Sequence, residues 1–388
     1  MLQKSWRVNE KEYEYLKAVL DNGFPGGSAV NFTAKLEKLF AERFGVKYAI
    51  TFTNGTATLH AALAAVGVGP GDEVIVPPLT MSATTMAVLF TGATPVYADI
   101  DPETFEISPA AIRKCLSPKT KAIIPVSLYG LAPDFDAINA IAAEHHLHVI
   151  EDDAQCFLGK YKGKLVGTLG EIASFSFQNS KHMTCGEGGI VVTSDPEYAT
   201  FIRRFTSLGY GAVSAEPGKS KINKDDIVRP DYTRHVSLGY NYRMSELCAA
   251  FAFAQLEKLD YFVDWRKKCA AAYAEAIGKT SWLRPQRTPS ECVNSYWAYT
   301  VKLATAEVKW GEFYDQFKKF GGEGFYGAWR LTYTEPYFKT IIPAEHCQCP
   351  AAEATQPYLM QFKTNYGTDA DLARQAEALA RTIRHFDK

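Results

Sequence analysis

Asp136-Ala-Ile-Asn-Ala-Ile-Ala-Ala-Glu-His145 is followed two residues later by His148-Val-Ile-Glu-Asp-Asp-Ala-Gln155. The first block repeats apolar residues at helical spacing, and the second opens as a short apolar run that ends in acids. The same alternation recurs through residues 45–195. Strand-like runs fall at 48–53, 73–77, 95–99, 121–126, 148–151, 173–177 and 189–193, with helical stretches such as 56–66 and 82–91 between them. Runs that are apolar on both faces and separated by helices imply a largely parallel sheet covered on both sides. The expected class is α/β.

A chain of 388 residues is too long for one compact core, which favours a large domain with a smaller one. From 245 to 277 a helical pattern without proline reads as one connecting helix or two. Beyond it, strand-like 295–301 and helical 310–320 and 369–386 suggest an α+β domain, so the expected division is 1–255 and 256–388. Within the first, before the helical pattern from 245, residues 209–237 form a polar stretch rich in Gly, Pro and Lys, longer than ordinary connections.

A formal net charge of −1 gives no electrostatic reason to expect nucleic acid, so an anionic ligand must be held locally. No window approaches about eighteen uncharged apolar residues, and the opening MLQKSWRVNEKEYEYL has no signal-peptide pattern. The expectation is a cytoplasmic protein with no membrane partner. Among eight scattered cysteines only Cys347 and Cys349, beside His346, are close. A lone C-x-C is poor metal spacing, so reduced thiols and no metal are expected.

Ligands of α/β folds sit at the carboxyl ends of parallel strands, so the chemistry should be sought at strand exits. Thr53-Asn-Gly-Thr56 joins a strand to a helix. It reads either as an anion site at the helix N-terminus or as a plain capped turn. Glu151-Asp-Asp-Ala-Gln155 ends a buried strand, where acids need a cation or hydrogen-bond donors; Asp153 could equally cap the next turn. Ser174-Phe-Ser-Phe-Gln-Asn-Ser-Lys181 then delivers a lysine, with Gly186, Gly188 and Gly189 behind it. In a shielded cleft such a lysine loses its proton readily and becomes an imine-forming nucleophile. The glycines leave room for a flat ring. One lysine, one carboxylate and one phosphate cradle are what pyridoxal 5′-phosphate requires.

Together with Gly23-Phe-Pro-Gly-Gly27, Val74-Ile-Val-Pro-Pro78, Gly92-Ala-Thr-Pro-Val96, Leu128-Tyr-Gly130, Gly186-Glu-Gly-Gly189 and Gly239-Tyr-Asn-Tyr-Arg-Met244, these motifs resemble the DegT/DnrJ/EryC1/StrS sugar aminotransferases over most of the chain. The resemblance implies a fold-type-I pyridoxal phosphate enzyme, with a mixed, mostly parallel sheet between helices and a smaller C-terminal domain. It implies that Lys181 holds the cofactor as an internal aldimine and moves the substrate proton. Asp152 would face the ring nitrogen and Gln155 the ring, while Gly55, Thr56 and Ser176 hold the phosphate. Asn241 would reach the phosphate of a neighbouring subunit in a homodimer with shared sites. Met81 stands where the family offers an aromatic ring over the cofactor; its sulfur can still pack on the ring. Ser127 stands where histidine is common, and Asp153 replaces a small residue. Related dehydratases carry histidine at the lysine position, so Lys181 favours transamination. His182, one position on, is a cleft candidate.

The family implies a ping-pong reaction from L-glutamate or L-glutamine to a keto sugar, most often nucleotide-linked. Lys219, Lys221, Lys224, Arg229, Arg234 and His235 could meet a diphosphate or form a solvated charge run. The motif also resembles the aminocyclitol and 3-amino-5-hydroxybenzoate synthase branch, whose acceptors (a keto-cyclitol, a free keto sugar, or the substrate of an aminating dehydratase) carry no nucleotide. In Gly324-Phe-Tyr-Gly-Ala-Trp-Arg330, Tyr326 and Arg330 are acceptor candidates, or else core and surface of the small domain. A catalytically silent, cofactor-binding regulatory protein would be expected to have lost the lysine or the acid, and both are present. Gly67-Val-Gly-Pro-Gly71 precedes a strand, which is the wrong order for a nicotinamide site.

Overall fold

The computed structural model describes residues 5–22, 30–216, 225 and 228–387; the Gly23–Gly27 motif and Lys219, Lys221 and Lys224 lie outside the described residues. Seven strands form the main sheet: β1 (Tyr48–Phe52), β2 (Glu73–Val76), β3 (Thr94–Tyr97), β4 (Thr120–Ile123), β5 (His148–Asp152), β6 (Ile172–Ser176) and β7 (Gly189–Thr193). Their spatial order is β1-β7-β6-β5-β4-β2-β3. From β6 to β3 the neighbours pair in parallel, whereas β7 lies antiparallel between β1 and β6. The connections explain this. Strands β2 to β5 are each reached through a helix, but β6 returns to β7 through a loop in which Phe177 N donates to Gly188 O (2.8 Å) and Cys185 N to Phe177 O (3.1 Å). A return without a crossover gives an antiparallel neighbour. That loop carries Lys181.

Helices α1 (Glu10–Asp21), α2 (Phe32–Phe44), α3 (Gly55–Ala65) and α4 (Ala83–Phe90) begin the two covering layers. Strand β6 shows how one segment serves both layers, because alternate residues face opposite ways. Ala173 and Phe175 join Phe40, Phe44, Phe157 and Phe177 in one buried cluster, in which Phe40 and Phe44 stack at 4.3 Å. Each ring withdrawn from water contributes roughly 1.5–3 kcal/mol. On the other face Ser174 Oγ lies 2.5 Å from Thr58 Oγ1 of α3. Helix α3 is buried on nearly all sides, with small Ala57, Ala61 and Ala62 facing inward, so it can lie close on the sheet.

A second sheet of four antiparallel strands is built from Leu283–Pro285, Ala298–Leu303, Leu359–Lys363 and Tyr326–Gly327, in that spatial order. The helices Leu259–Ile277, Trp310–Lys319 and Asp369–Phe386 share its apolar core. The strand expected from 295 starts at Ala298, because Tyr296 has φ 52° and cannot join a ladder. Its short partners Leu283–Pro285 and Tyr326–Gly327 contain proline and glycine and carry little periodicity. The pattern over 245–277 is two helices, Glu246–Leu256 and Leu259–Ile277. The break falls at Glu257 and Lys258, whose side chains pair with Lys11 and Glu12 of α1. Among the described residues, no helix is long and apolar enough to cross a membrane. Cys347 and Cys349 bond through sulfur to the main-chain oxygens of Pro343 and Tyr97.

Candidate active site

Strand exits β1, β5 and β6 converge on a cleft of about 450 Å³. Its wall includes Gly55, Thr56, Met81, Asp152, Gln155, Ser176 and Lys181. Seven of the residues singled out from sequence therefore meet in one place.

Helix α3 starts directly after β1. The Asn54 side chain accepts from Ala57 N (2.9 Å) and closes the first turn, while the N–H groups of Gly55 and Thr56 precede any intrahelical bond and point outward. These donors and the positive end of the helix favour an anion. Glycine at 55 has a steric reason: a Cβ there would lie 2.8 Å from Ser176 Cβ. Ser176 Oγ accepts from Gln178 N (3.3 Å) and keeps its own proton to donate. Gly55→Ala is expected to weaken binding of pyridoxal phosphate about tenfold or more, since overpacking costs about 1–3 kcal/mol. Titration of the stripped enzyme measures it, and unchanged affinity would remove Gly55 from the phosphate site.

The acidic cluster divides by strand alternation. Asp152 faces the cleft; Oδ2 accepts from Thr84 Oγ1 (2.9 Å) and Oδ1 from Ala154 N (3.2 Å). Burial pushes its carboxyl above the usual range, opposed by those donors and by the Lys181 charge. Glu151 points the other way and accepts from Gly167 N, Leu169 N and Gly170 N at 2.6–2.7 Å, which fixes that loop. Asp153 accepts from Ser127 Oγ at 2.7 Å. Burial, and then the neighbouring Glu151 charge, push Asp153 well up. The two departures noted at 127 and 153 thus answer each other. Gln155 Oε1 accepts from Tyr129 N (2.9 Å), which leaves its amide N–H groups free to serve the cleft.

Burial lowers the Lys181 amine to about 8; Asp152 pulls it back up, Arg266 lowers it further and Glu187 raises it. Nζ lies 5.1 Å from the centroid of the Trp297 ring. Trp297 stacks on Trp329 (5.7 Å), and its Nε1 donates to Ser180 O (3.0 Å). Trp297, Trp329, Thr84 and Glu187 escape a reading of strand exits. The two tryptophans do lie in stretches marked from sequence, 295–301 and 324–330, and chemistry that favours aromatic walls could have raised them.

Other candidates lie apart from this wall. His182 is buried against Phe157, its Nε2 3.0 Å from Ser295 O. Burial drives it well below its ordinary value, so the ring stays neutral. Tyr326 is 65% exposed on an edge strand, and Arg330 is exposed nearby. Asn241 is exposed, and its backbone bridges to Ser207. Arg229 pairs with Asp231, Arg234 lies over Tyr232 and His235 bonds to Leu208 O.

The sequence model of the DegT/DnrJ/EryC1/StrS aminotransferase family matches residues 7–373. GDP-perosamine synthase of Escherichia coli O157:H7 is 40% identical over 299 residues, 77% of each chain. The UDP-2-acetamido-2-deoxy-3-oxo-D-glucuronate aminotransferase of Pseudomonas aeruginosa is 40% identical over 277 residues, 70% of this chain and 71% of that one. Among solved structures, an aminotransferase from Psychrobacter cryohalolentis superposes with a TM-score of 0.89 at 28% identity, covering 98% of both chains. A 3-amino-5-hydroxybenzoic acid synthase gives 0.85 at 28% identity, covering 97% of both.

Proposed function

Because the chain belongs to the DegT/DnrJ/EryC1/StrS aminotransferase family, we propose that it moves an amino group from L-glutamate or L-glutamine to a nucleotide-linked keto sugar, in two half-reactions with pyridoxal 5′-phosphate. The observation that carries this reading is the meeting of Lys181 and Asp152 in one cleft with the open N-terminus of α3. When bound, the cofactor supplies an aldehyde and an electron-accepting ring. The donor set fits such a group: an anion cradle at Gly55, Thr56 and Ser176, a carboxylate at Asp152 and an amine at Lys181. Gly55 and Thr56 hold phosphate through N–H groups and Ser176 through its hydroxyl. The Asp152 carboxylate would face the ring nitrogen and hold its proton in place. Gln155 would donate to the ring edge, and Met81 would pack on the ring face. Trp297 and Trp329 exclude water. Lys181 Nζ, with its amine near neutrality, takes the proton from the donor Cα and returns it on the other side of the transfer. Asn241 of a second copy completes the phosphate site, so the working unit is a homodimer.

A nucleotide-linked acceptor is supported by the two 40% identical relatives, whose names carry GDP and UDP sugars. Likeness to 3-amino-5-hydroxybenzoic acid synthase favours a second reading, an acceptor without a nucleotide, either a keto-cyclitol or a free keto sugar, or aminating dehydration. The two separate in one experiment. The enzyme is converted with L-glutamate or L-glutamine until its visible band is lost, then offered nucleotide keto sugars, free keto sugars and inososes. Return of the band only with nucleotide compounds is expected. Return only with nucleotide-free acceptors overturns the acceptor assignment, and failure to lose the band with either donor overturns the donor.

A further inference from the structure

Two guanidinium groups converge on the peptide that carries Lys181. Arg7 donates through Nη1 to Asn179 O (2.9 Å) and through Nη2 to Lys181 O (2.7 Å) and His182 O (2.8 Å). Arg266, on the helix Leu259–Ile277, donates through Nη2 to Ser180 O (2.9 Å) and to the same Lys181 O (3.1 Å). Its Nη1 reaches Trp297 O (2.7 Å) and Thr364 Oγ1 (2.9 Å). One carbonyl oxygen therefore accepts from two cations far apart in sequence.

Both side chains are buried, 8% and 3% exposed, and among the described residues neither has a carboxylate at ion-pair distance. Carbonyl groups satisfy the hydrogen bonds of a guanidinium without cancelling its charge. A buried, uncompensated cation costs several kcal/mol, and two side by side also repel. Burial lowers Arg7 to about 10, and burial together with Arg7 lowers Arg266 to about 9, so both stay protonated at neutral pH.

The arrangement makes sense from the position of the lysine amine. Facing it are Asp152 from β5 and Glu187 from the return loop, two carboxylates that favour ammonium. Neighbouring His182 is neutral. Burial opposes that charge first, and a nearby cation adds to the opposition; an ion-paired ammonium neither attacks a carbonyl nor accepts a proton. Arg266 supplies that addition from beneath the main chain, with Arg7 bonded to the same carbonyl; neither touches a reacting atom.

We propose that Arg7 and Arg266 are positioning residues for Lys181: they clamp its peptide from two sides and, as cations without a carboxylate partner, oppose the charging of its amine. This rests on Lys181 being the reactive amine. Arg266 also ties the lysine's peptide to Trp297 and Thr364, which flank strands of the four-stranded sheet.

The test separates charge from hydrogen bonding. Arg266→Gln keeps a donor and removes the cation; Arg266→Lys keeps the cation and removes the fork. In full-length enzyme stripped of cofactor, the acidity of the Lys181 amine is read by competitive acetylation across pH, followed by peptide mass spectrometry. A unit charge acting through protein at several ångströms shifts a neighbour by about one unit. Arg266→Gln should therefore raise the Lys181 midpoint by about one unit and Arg266→Lys should leave it low, with Arg7→Gln acting in the same direction. If stripped Arg266→Gln does not fold, the midpoint pH of the visible band of the holoenzyme is read instead, and it should rise. An unchanged midpoint in the Gln variants, or an equal rise in Gln and Lys variants, overturns the proposal. Failure of the underlying assignment would look different: borohydride reduction of the holoenzyme would then label a residue other than Lys181.

Discussion

Lys181→Ala and Lys181→Arg are both expected to lower kcat/KM by at least about 10⁴-fold, the scale on which an enzyme loses its central reactive group. The two variants fail for different reasons. Alanine removes the amine, whereas arginine keeps a cation of similar reach that cannot lose its proton near neutral pH. The wild-type lysine is tuned between these extremes, lowered by burial to about 8 while Asp152 and Glu187 pull it back. Steady-state rates with a glutamate donor measure the loss, and borohydride reduction followed by peptide mapping should place the label on Lys181 only in wild type. A small primary amine added to Lys181→Ala should restore part of the rate, because the cleft and its other groups are intact. Substantial activity in Lys181→Arg would show that another group moves the proton.

Asp152→Asn is expected to lower kcat about 10³-fold with little loss of stability. The amide is nearly isosteric; its oxygen can still accept from Thr84 Oγ1 or from Ala154 N, the two donors that hold the carboxylate now. What disappears is the charge. At a contact distance of about 4 Å, a carboxylate opposite a cationic ring nitrogen would contribute about 4 kcal/mol at an effective dielectric near 20, which corresponds to about 10³ in rate. The pH dependence gives a second signature. Asp152 raises the Lys181 amine, so without it the free amine should titrate at lower pH and the acidic limb of the rate profile should move down. Thermal unfolding checks that the fold is kept. A variant that keeps its rate, or that loses rate and stability together, would mean that Asp152 supports the β5 terminus and does not serve the ring.

Some of this was legible along the chain. Residues 148–151 and 173–177 read as strands because a segment buried on both faces must be apolar throughout, and the charges at Asp152 and Lys181 stand out beyond the ends of such runs. Alternation even separates Asp152 from Glu151 and Asp153. The partners of these groups were hidden. Arg7 lies 174 positions from Lys181, and Arg266 lies 85 away. The Trp297 indole reaches across 117 positions to Ser180. Periodicity speaks of neighbours within a few residues and says nothing of contacts on that scale. In the stretch 324–330 it is Trp329 that lies on the cleft wall, with Tyr326 and Arg330 apart from it.

The order of residues by itself determined the alternation of helix and strand, the large sheet and the presence of a lysine, an acid and an anion cradle at strand exits, because burial and backbone geometry act locally and leave a periodic trace. Tertiary structure alone decided which aromatic rings close the cleft and that two uncompensated arginines sit under the lysine. Those outcomes depend on electrostatics and packing between segments that meet only once the chain has folded.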